Sequence, residues 1–191
     1  MPGPGIDVVP IYFTERDETL HRLGAALELD FRTSVRYRNP WFDPEAAFDT
    51  GRGQYRAALF LKALLLDSLA DPAERVIGVT SVDLFTPVLT YVFGEAQLGG
   101  RAAVVSCHRL RQEAYGLPPD PRLFYDRLHK EAVHELGHTF GLLHCRSIGC
   151  VMGASAYAEQ IELKGSQFCE RCRAVVARNG APVLSSPHGP R

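Results

Sequence analysis

The residues best equipped for chemistry lie in one run, His134-Glu135-Leu136-Gly137-His138-Thr139-Phe140-Gly141-Leu142-Leu143-His144, which reads H-E-x-x-H-x-x-G-x-x-H. Two histidines four positions apart on a helix stand one above the other, about 6 Å apart along the axis, so both imidazoles can hold one ion. Gly141 can take a positive φ, stop the helix and turn the chain back. That turn would bring His144 to the same ion as a third ligand. Zinc held by three neutral imidazoles keeps a water in its fourth position and lowers the pKa of that water to about 7. Glu135, next to His134, is placed to take the proton from such a water and pass it to a leaving amine. The chemistry implied is metal-assisted hydrolysis. A lone histidine or glutamate is usually solvated or satisfied in a core; the fixed joint spacing, with Gly141 at its offset, carries the reading.

A second cluster begins at the next residue. Cys145, Cys150, Cys169 and Cys172 read C-x4-C-x18-C-x2-C, two close pairs separated by a loop, the arrangement of a closed structural zinc site. Two disulfides, or a redox C-x-x-C at Cys169 and Cys172, are the alternatives. A reducing compartment argues against the first, and no thioredoxin-like pattern surrounds Cys169 to support the second. Because Cys145 directly follows His144, a metal on the cysteines would pin the chain at the third catalytic ligand, and the two sites are expected to be mechanically linked. Met152, eight residues after His144, reads as a gap-filling methionine in a turn and receives no chemical role. Cys107 and His108 match no ligand spacing and read as a buried thiol and an ordinary histidine.

These residues need elements to hold them. Strands are expected at 6–13, 31–37, 75–80, 88–93 and 101–106, where apolar and β-branched residues cluster. Helices are expected at 14–29, 54–69, 122–140 and 168–178, with loops at 39–52 and 83–87 and a break at Asp71-Pro72. Strands alternating with helices argue for an α/β layered arrangement. The chain reads as a single catalytic domain, 1–191. Residues 1–141 form an N-terminal subdomain ending at the active-site helix, 142–180 a C-terminal subdomain with the four-cysteine zinc site, and the Pro-rich 181–191 a disordered tail.

The bulk numbers narrow the function classes. The 191 residues suffice for one domain with a real core, and 46% hydrophobic with 23% charged residues is ordinary for a globular protein. A formal net charge of -1 leaves no footprint for nucleic acid or an anionic membrane, and no apolar stretch is long enough to span one. Residues 1–7 show no basic region followed by an apolar core, so a cytoplasmic protein is expected, and five cysteines there point to metal rather than disulfides.

With 134–172 in view, the chain resembles an archaemetzincin. The signature H-E-x-x-H-x-x-G-x-x-H-C-x4-C-x-M followed by C-x-x-C is matched at every named position, with sixteen residues between Met152 and Cys169. The segments 6–10, 76–84 (VIGVTSVDL), 93–96 (FGEA) and 105–110 are also similar to that family, so the resemblance covers most of 6–178. It implies a compact metzincin-like α/β (α+β) fold. A mixed, twisted sheet of about five strands packs on two long helices, the second being the active-site helix, with a small irregular C-terminal part. It also implies an antiparallel edge strand lining the cleft, for which 101–106 is the candidate. Such an edge can bind an extended peptide by adding it as a strand. The activity implied is that of a zinc metallopeptidase with two zinc ions, one catalytic and one structural. Its partner would be a peptide or unfolded protein substrate, and the protein is expected to be a monomer. A peptide-binding or regulatory module with the same zinc sites and little turnover is the competing reading.

Overall fold

The computed structural model describes residues 5–67 and 75–180. The expected break at Asp71-Pro72 and the tail 181–191 lie outside the described residues. Among the described residues, nine strands in two sheets and five α-helices make up the fold. The strands are β1 (Ile6–Ile11), β2 (Val35–Tyr37), β3 (Phe48–Asp49), β4 (Gln54–Arg56), β5 (Arg75–Thr80), β6 (Leu84–Thr86), β7 (Leu89–Val92), β8 (Gly94–Ala96) and β9 (Ala102–Ser106). Helices α1 (Asp17–Phe31) and α2 (Ala57–Asp67) are interleaved with them, and α3 (Pro121–Thr139), α4 (Ala158–Leu163) and α5 (Glu170–Arg178) follow β9.

The main sheet has the order β2-β1-β5-β9-β8. Its first four strands run parallel, and β8 closes one edge antiparallel to β9 with Glu95 opposite Val104. Parallel strands need both faces covered, and their near-continuous apolar sequences show it. Alternate residues of β9 divide between two cores. Ala103 and Val105 join Leu27 and Phe31 of α1 and Leu128 and Leu136 of α3 on one face. Ala102 and Val104 join Phe60 and Leu64 of α2 on the other. The second sheet, β3-β4-β6-β7, pairs β4 and β6 in parallel, and the buried Ala47 and Leu84 beside it belong to the α2 core.

Several expectations need correction. Residues 101–106 are not the edge strand. β9 lies between β5 and β8, with all five residues buried, because its sequence offers apolar side chains to both faces. The antiparallel edge is β8, too short and too glycine-dependent to announce itself as a strand. Residues 54–56 pair as β4 before α2 begins at Ala57, and 83–87, read as a loop, contains β6. The loop at 39–52 holds a 3-10 turn, Pro44–Ala47, capped by the Asp43 carboxylate accepting from the Glu45 N–H, and the short strand β3. Helix α4 was not foreseen. Among the described residues no helix is long and apolar enough to cross a membrane.

Candidate metal centre and active site

Helix α3 carries the site and is well started. Asp120 caps it, its carboxylate accepting from the N–H groups of Arg122 (3.0 Å) and Leu123 (2.9 Å), and Pro121 fills the first turn where no N–H is needed. Its apolar stripe, including Phe124, Leu128, Ala132 and Leu136, seats it in the core. The helix ends as the sequence implies. Gly141 adopts φ 85°, its N–H donates to the His138 carbonyl at 2.9 Å, and that of Leu142 donates to the Gly137 carbonyl at 3.2 Å. A side chain at that φ would be strained, so glycine is what allows the chain to reverse toward His144.

The reversal brings the three histidines together. Their ligand atoms all lie within 4.8 Å of one another, and the Nε2 atoms of His134 and His138 are 3.1 Å apart. Two ligands about 2.0–2.1 Å from a tetrahedral zinc are separated by about 3.4 Å, so the pair is close to the required spacing. Each of these rings is also oriented from behind. His134 Nδ1 meets the Val151 carbonyl at 2.9 Å and His138 Nδ1 meets the Leu142 carbonyl at 2.6 Å. A carbonyl only accepts, so each Nδ1 must carry the proton and each Nε2 lone pair is left for a metal. Lys164 Nζ sits 3.4 Å from His134 Nδ1, but both are then donors, and the contact is one of charge rather than a hydrogen bond. Burial first, and Lys164 second, push the His134 pKa well below its usual value; burial does the same more mildly for His138. Both effects favour the neutral imidazole that a metal needs.

Glu135 is buried, on the same helix and in the same cleft of about 700 Å³ as His134, His138 and His144. Burial raises its pKa well above the carboxylate range, and the neighbouring Glu131 adds to this. Strand β8 passes directly over it. A Cβ on Gly94 would fall 2.6 Å from Glu135 Cγ and 2.6 Å from the Val104 carbonyl oxygen, so only glycine lets the edge strand approach this closely. Glu95, next in the strand, lines the same cleft, and burial raises its pKa too.

The four cysteines form the second group, with sulfurs within 4.8 Å of one another and 3.8 Å between Cys145 and Cys169. Zinc–sulfur bonds of about 2.3 Å in a tetrahedron place sulfurs about 3.8 Å apart, so the spacing fits that ion. All five cysteines are free thiols in this structure. The Cys145 thiol is lowered to about 6, first by its hydrogen bonds with Ser147 and, against some burial, also by Arg171, which favours the thiolate that binds metal. Cys107 stands apart, buried, its pKa pushed up by that burial. His108 is likewise in neither group.

The two groups share one piece of backbone. The Cys145 N–H donates to the Met152 carbonyl at 2.9 Å, Val151 lies between Cys150 and Met152 and holds His134, and Leu142 holds His138. Met152 is fully buried under α3, its sulfur 2.5 Å from where a Cβ on Gly137 would stand. Sequence reasoning assembled both ligand sets and Glu135. It passed over Glu131, Lys164, Gly94 and Glu95. Glu131 had a detectable signal, since it precedes His134 by three and Glu135 by four and so shares their helix face. Lys164 had none, because tertiary folding alone brings it to α3.

Residues 47–178 match the model of peptidase family M54. The archaemetzincin of Methanopyrus kandleri is 45% identical over 136 residues, 71% of this chain and 73% of that protein. The archaemetzincin of Haloquadratum walsbyi is 37% identical over 171 residues, 87% of this chain and 96% of the relative. The crystal structure of the Methanopyrus kandleri protein superposes with a TM-score of 0.77 at 36% identity, covering 93% of this chain and 95% of that one. A zinc-dependent peptidase from Methanocorpusculum labreanum gives 0.77 at 29% identity, covering 90% and 100%. The chain belongs to peptidase family M54, the archaemetzincins, and so to the zinc metallopeptidases.

Proposed function

We propose that the protein hydrolyses peptide bonds, with Glu135 as general base and His134, His138 and His144 as the ligands of a catalytic zinc. We also propose that Cys145, Cys150, Cys169 and Cys172 hold a second, structural zinc. The observation that carries this reading is the convergence of three imidazoles, two with their Nε2 atoms freed by carbonyls behind them, on a cleft that also holds a buried carboxylate. Zinc bound there supplies a Lewis acid that polarises the scissile carbonyl and makes water acidic enough to deprotonate near neutral pH.

The chain's own residues do the rest. Glu135 accepts a proton from the attacking water and returns it to the departing amine, and burial, which raises its pKa above the ordinary carboxylate range, strengthens it as the base. Strand β8 ends the main sheet, and no strand pairs with its outer edge among the described residues. An extended substrate backbone can therefore add there as a further strand, lying across the cleft beside Glu135.

This reading takes the chain as a single catalytic domain acting as a cytoplasmic monomer on peptides or unfolded segments. Its C-terminal part, 142–180, orients the histidines through the carbonyls of Leu142 and Val151. The test is cleavage of a diverse peptide pool by zinc-loaded wild type and by Glu135→Gln, with new termini read by mass spectrometry. The variant is expected to keep its zinc and lose about 10²–10⁴-fold in turnover. Cuts that persist in Glu135→Gln would remove the assigned base, and identical uncut pools with both proteins fully metallated would favour a peptide-binding module.

A further inference from the structure

Lys164 lies just beyond α4, in the segment between the two cysteine pairs, yet it is buried against the catalytic helix. Its side chain is 6% exposed and makes three contacts. Nζ is 2.7 Å from Oε1 of Glu131, itself 4% exposed, where the ammonium lies off the hydrogen-bonding direction of that oxygen and the contact is ionic. Nζ also donates to the Gly153 carbonyl at 3.2 Å and stands 3.4 Å from His134 Nδ1. One ammonium thus joins the helix turn just before the ligands, the back of a ligand ring, and the residue after Met152.

Two buried carboxylates one helical turn apart, Glu131 and Glu135, face the same cleft. Without Lys164, the charge on Glu131 would be uncompensated beside Glu135, and a buried unpaired charge is costly enough to move its surroundings. A buried ion pair contributes little to stability compared with apolar packing, so its presence here calls for another role.

We infer that Lys164 is a positioning residue for the hydrolytic site: it neutralises Glu131 beside Glu135 and locks the ligand-bearing turn of α3 to the turn after Met152. This rests on the peptidase reading above only for its effect on turnover. Its effect on the metal ligands stands independently.

The test uses the full-length protein as wild type, Lys164→Met, Lys164→Arg and the double variant Glu131→Gln with Lys164→Met. Three quantities are read: the visible spectrum of cobalt(II) at the histidine site, zinc affinity of that site by chelator competition, and kcat and KM where peptide cleavage is seen. Lys164→Met is expected to weaken zinc at the histidine site by about 10–100-fold and alter its cobalt spectrum, leaving the cobalt–thiolate bands of the cysteine site in place. Where there is turnover, kcat falls and KM holds. Lys164→Arg retains more than Lys164→Met, and the double variant recovers kcat because no lone carboxylate remains beside Glu135. A folded Lys164→Met with wild-type cobalt spectrum and zinc affinity overturns the inference, as does a loss that merely follows thermal stability across all variants. If Lys164→Met does not fold, the double variant decides: it carries no buried unpaired charge, and a wild-type histidine-site spectrum together with failure of Lys164→Arg would refute the locking role. A wild type that binds zinc but cuts nothing would sink the peptidase reading while the metal measurements still judge Lys164.

Discussion

Removing the Cys150 sulfur is expected to weaken the histidine site, although that sulfur is not in the histidine group. In Cys150→Ser the sulfur is replaced by an oxygen that zinc binds poorly, and the closed set of four is broken. Residue 150 directly precedes Val151, whose carbonyl holds His134 Nδ1 at 2.9 Å, and Cys145 follows the ligand His144 and donates to Met152 at 2.9 Å. Freeing this segment loosens at least one carbonyl that fixes a ligand ring. Loss of such an outer partner typically lowers metal affinity about 10–100-fold, which is about 1.4–2.7 kcal/mol. The assay titrates zinc into metal-free wild type and Cys150→Ser against a competing chromophoric chelator, with cobalt(II) spectra reporting which site fills. An unchanged histidine-site affinity in a protein whose cysteine site stays empty would refute the coupling.

Other consequences follow from the packing and the charges. Gly94→Ala must displace either Glu135 or strand β8, since its Cβ would lie 2.6 Å from both Glu135 Cγ and the Val104 oxygen. A shift of about 1 Å in a reacting group costs on the order of 10²-fold, so kcat/KM should fall about that far with zinc retained. Gly137→Ala drives a methyl to 2.5 Å from the Met152 sulfur and 3.0 Å from Phe168. Overpacking of this kind costs about 1–3 kcal/mol, readable as a lowered Tm in a thermal melt. In the metal-free protein, the pKa of Glu135 is raised well above its ordinary 4.5, mainly by burial and then by Glu131. A raised folded-state pKa favours folding below about pH 4.5 and loses that benefit as pH climbs through the folded value. Metal-free Glu135→Gln should therefore melt above wild type at pH 8, with the gap closing toward pH 4.5. A gap that widens on acidification would contradict the assigned burial.

How the fold could be read from the chain depended on local signals. Strands β1, β5 and β9 are runs of apolar and β-branched residues, and α3 has a cap, a proline at its start and a glycine just beyond its end, so each announces itself. Strand β8 spans three residues, one a glycine, and β6 three residues after a turn; nothing local separates them from loop. The edge strand that the family resemblance implies is therefore sought in 101–106, whereas the structure puts it at β8. Apolar alternation shows that a strand is buried, but strand order depends on which partners lie in reach, and those are distant in sequence.

The sequence by itself marked out the two candidate ligand sets, the glutamate beside them and the glycine that turns the chain, because a metal site needs particular atoms at spacings that helical and turn geometry dictate. Only the tertiary structure decided how those atoms are held. The carbonyls of Val151 and Leu142 behind the rings, Gly94 over Glu135, and Lys164 against Glu131 and His134 each join segments that backbone periodicity does not relate. Ligand identity is a local property of a short motif, whereas the orientation and electrostatic surroundings of those ligands depend on chain segments that meet only when the domain folds.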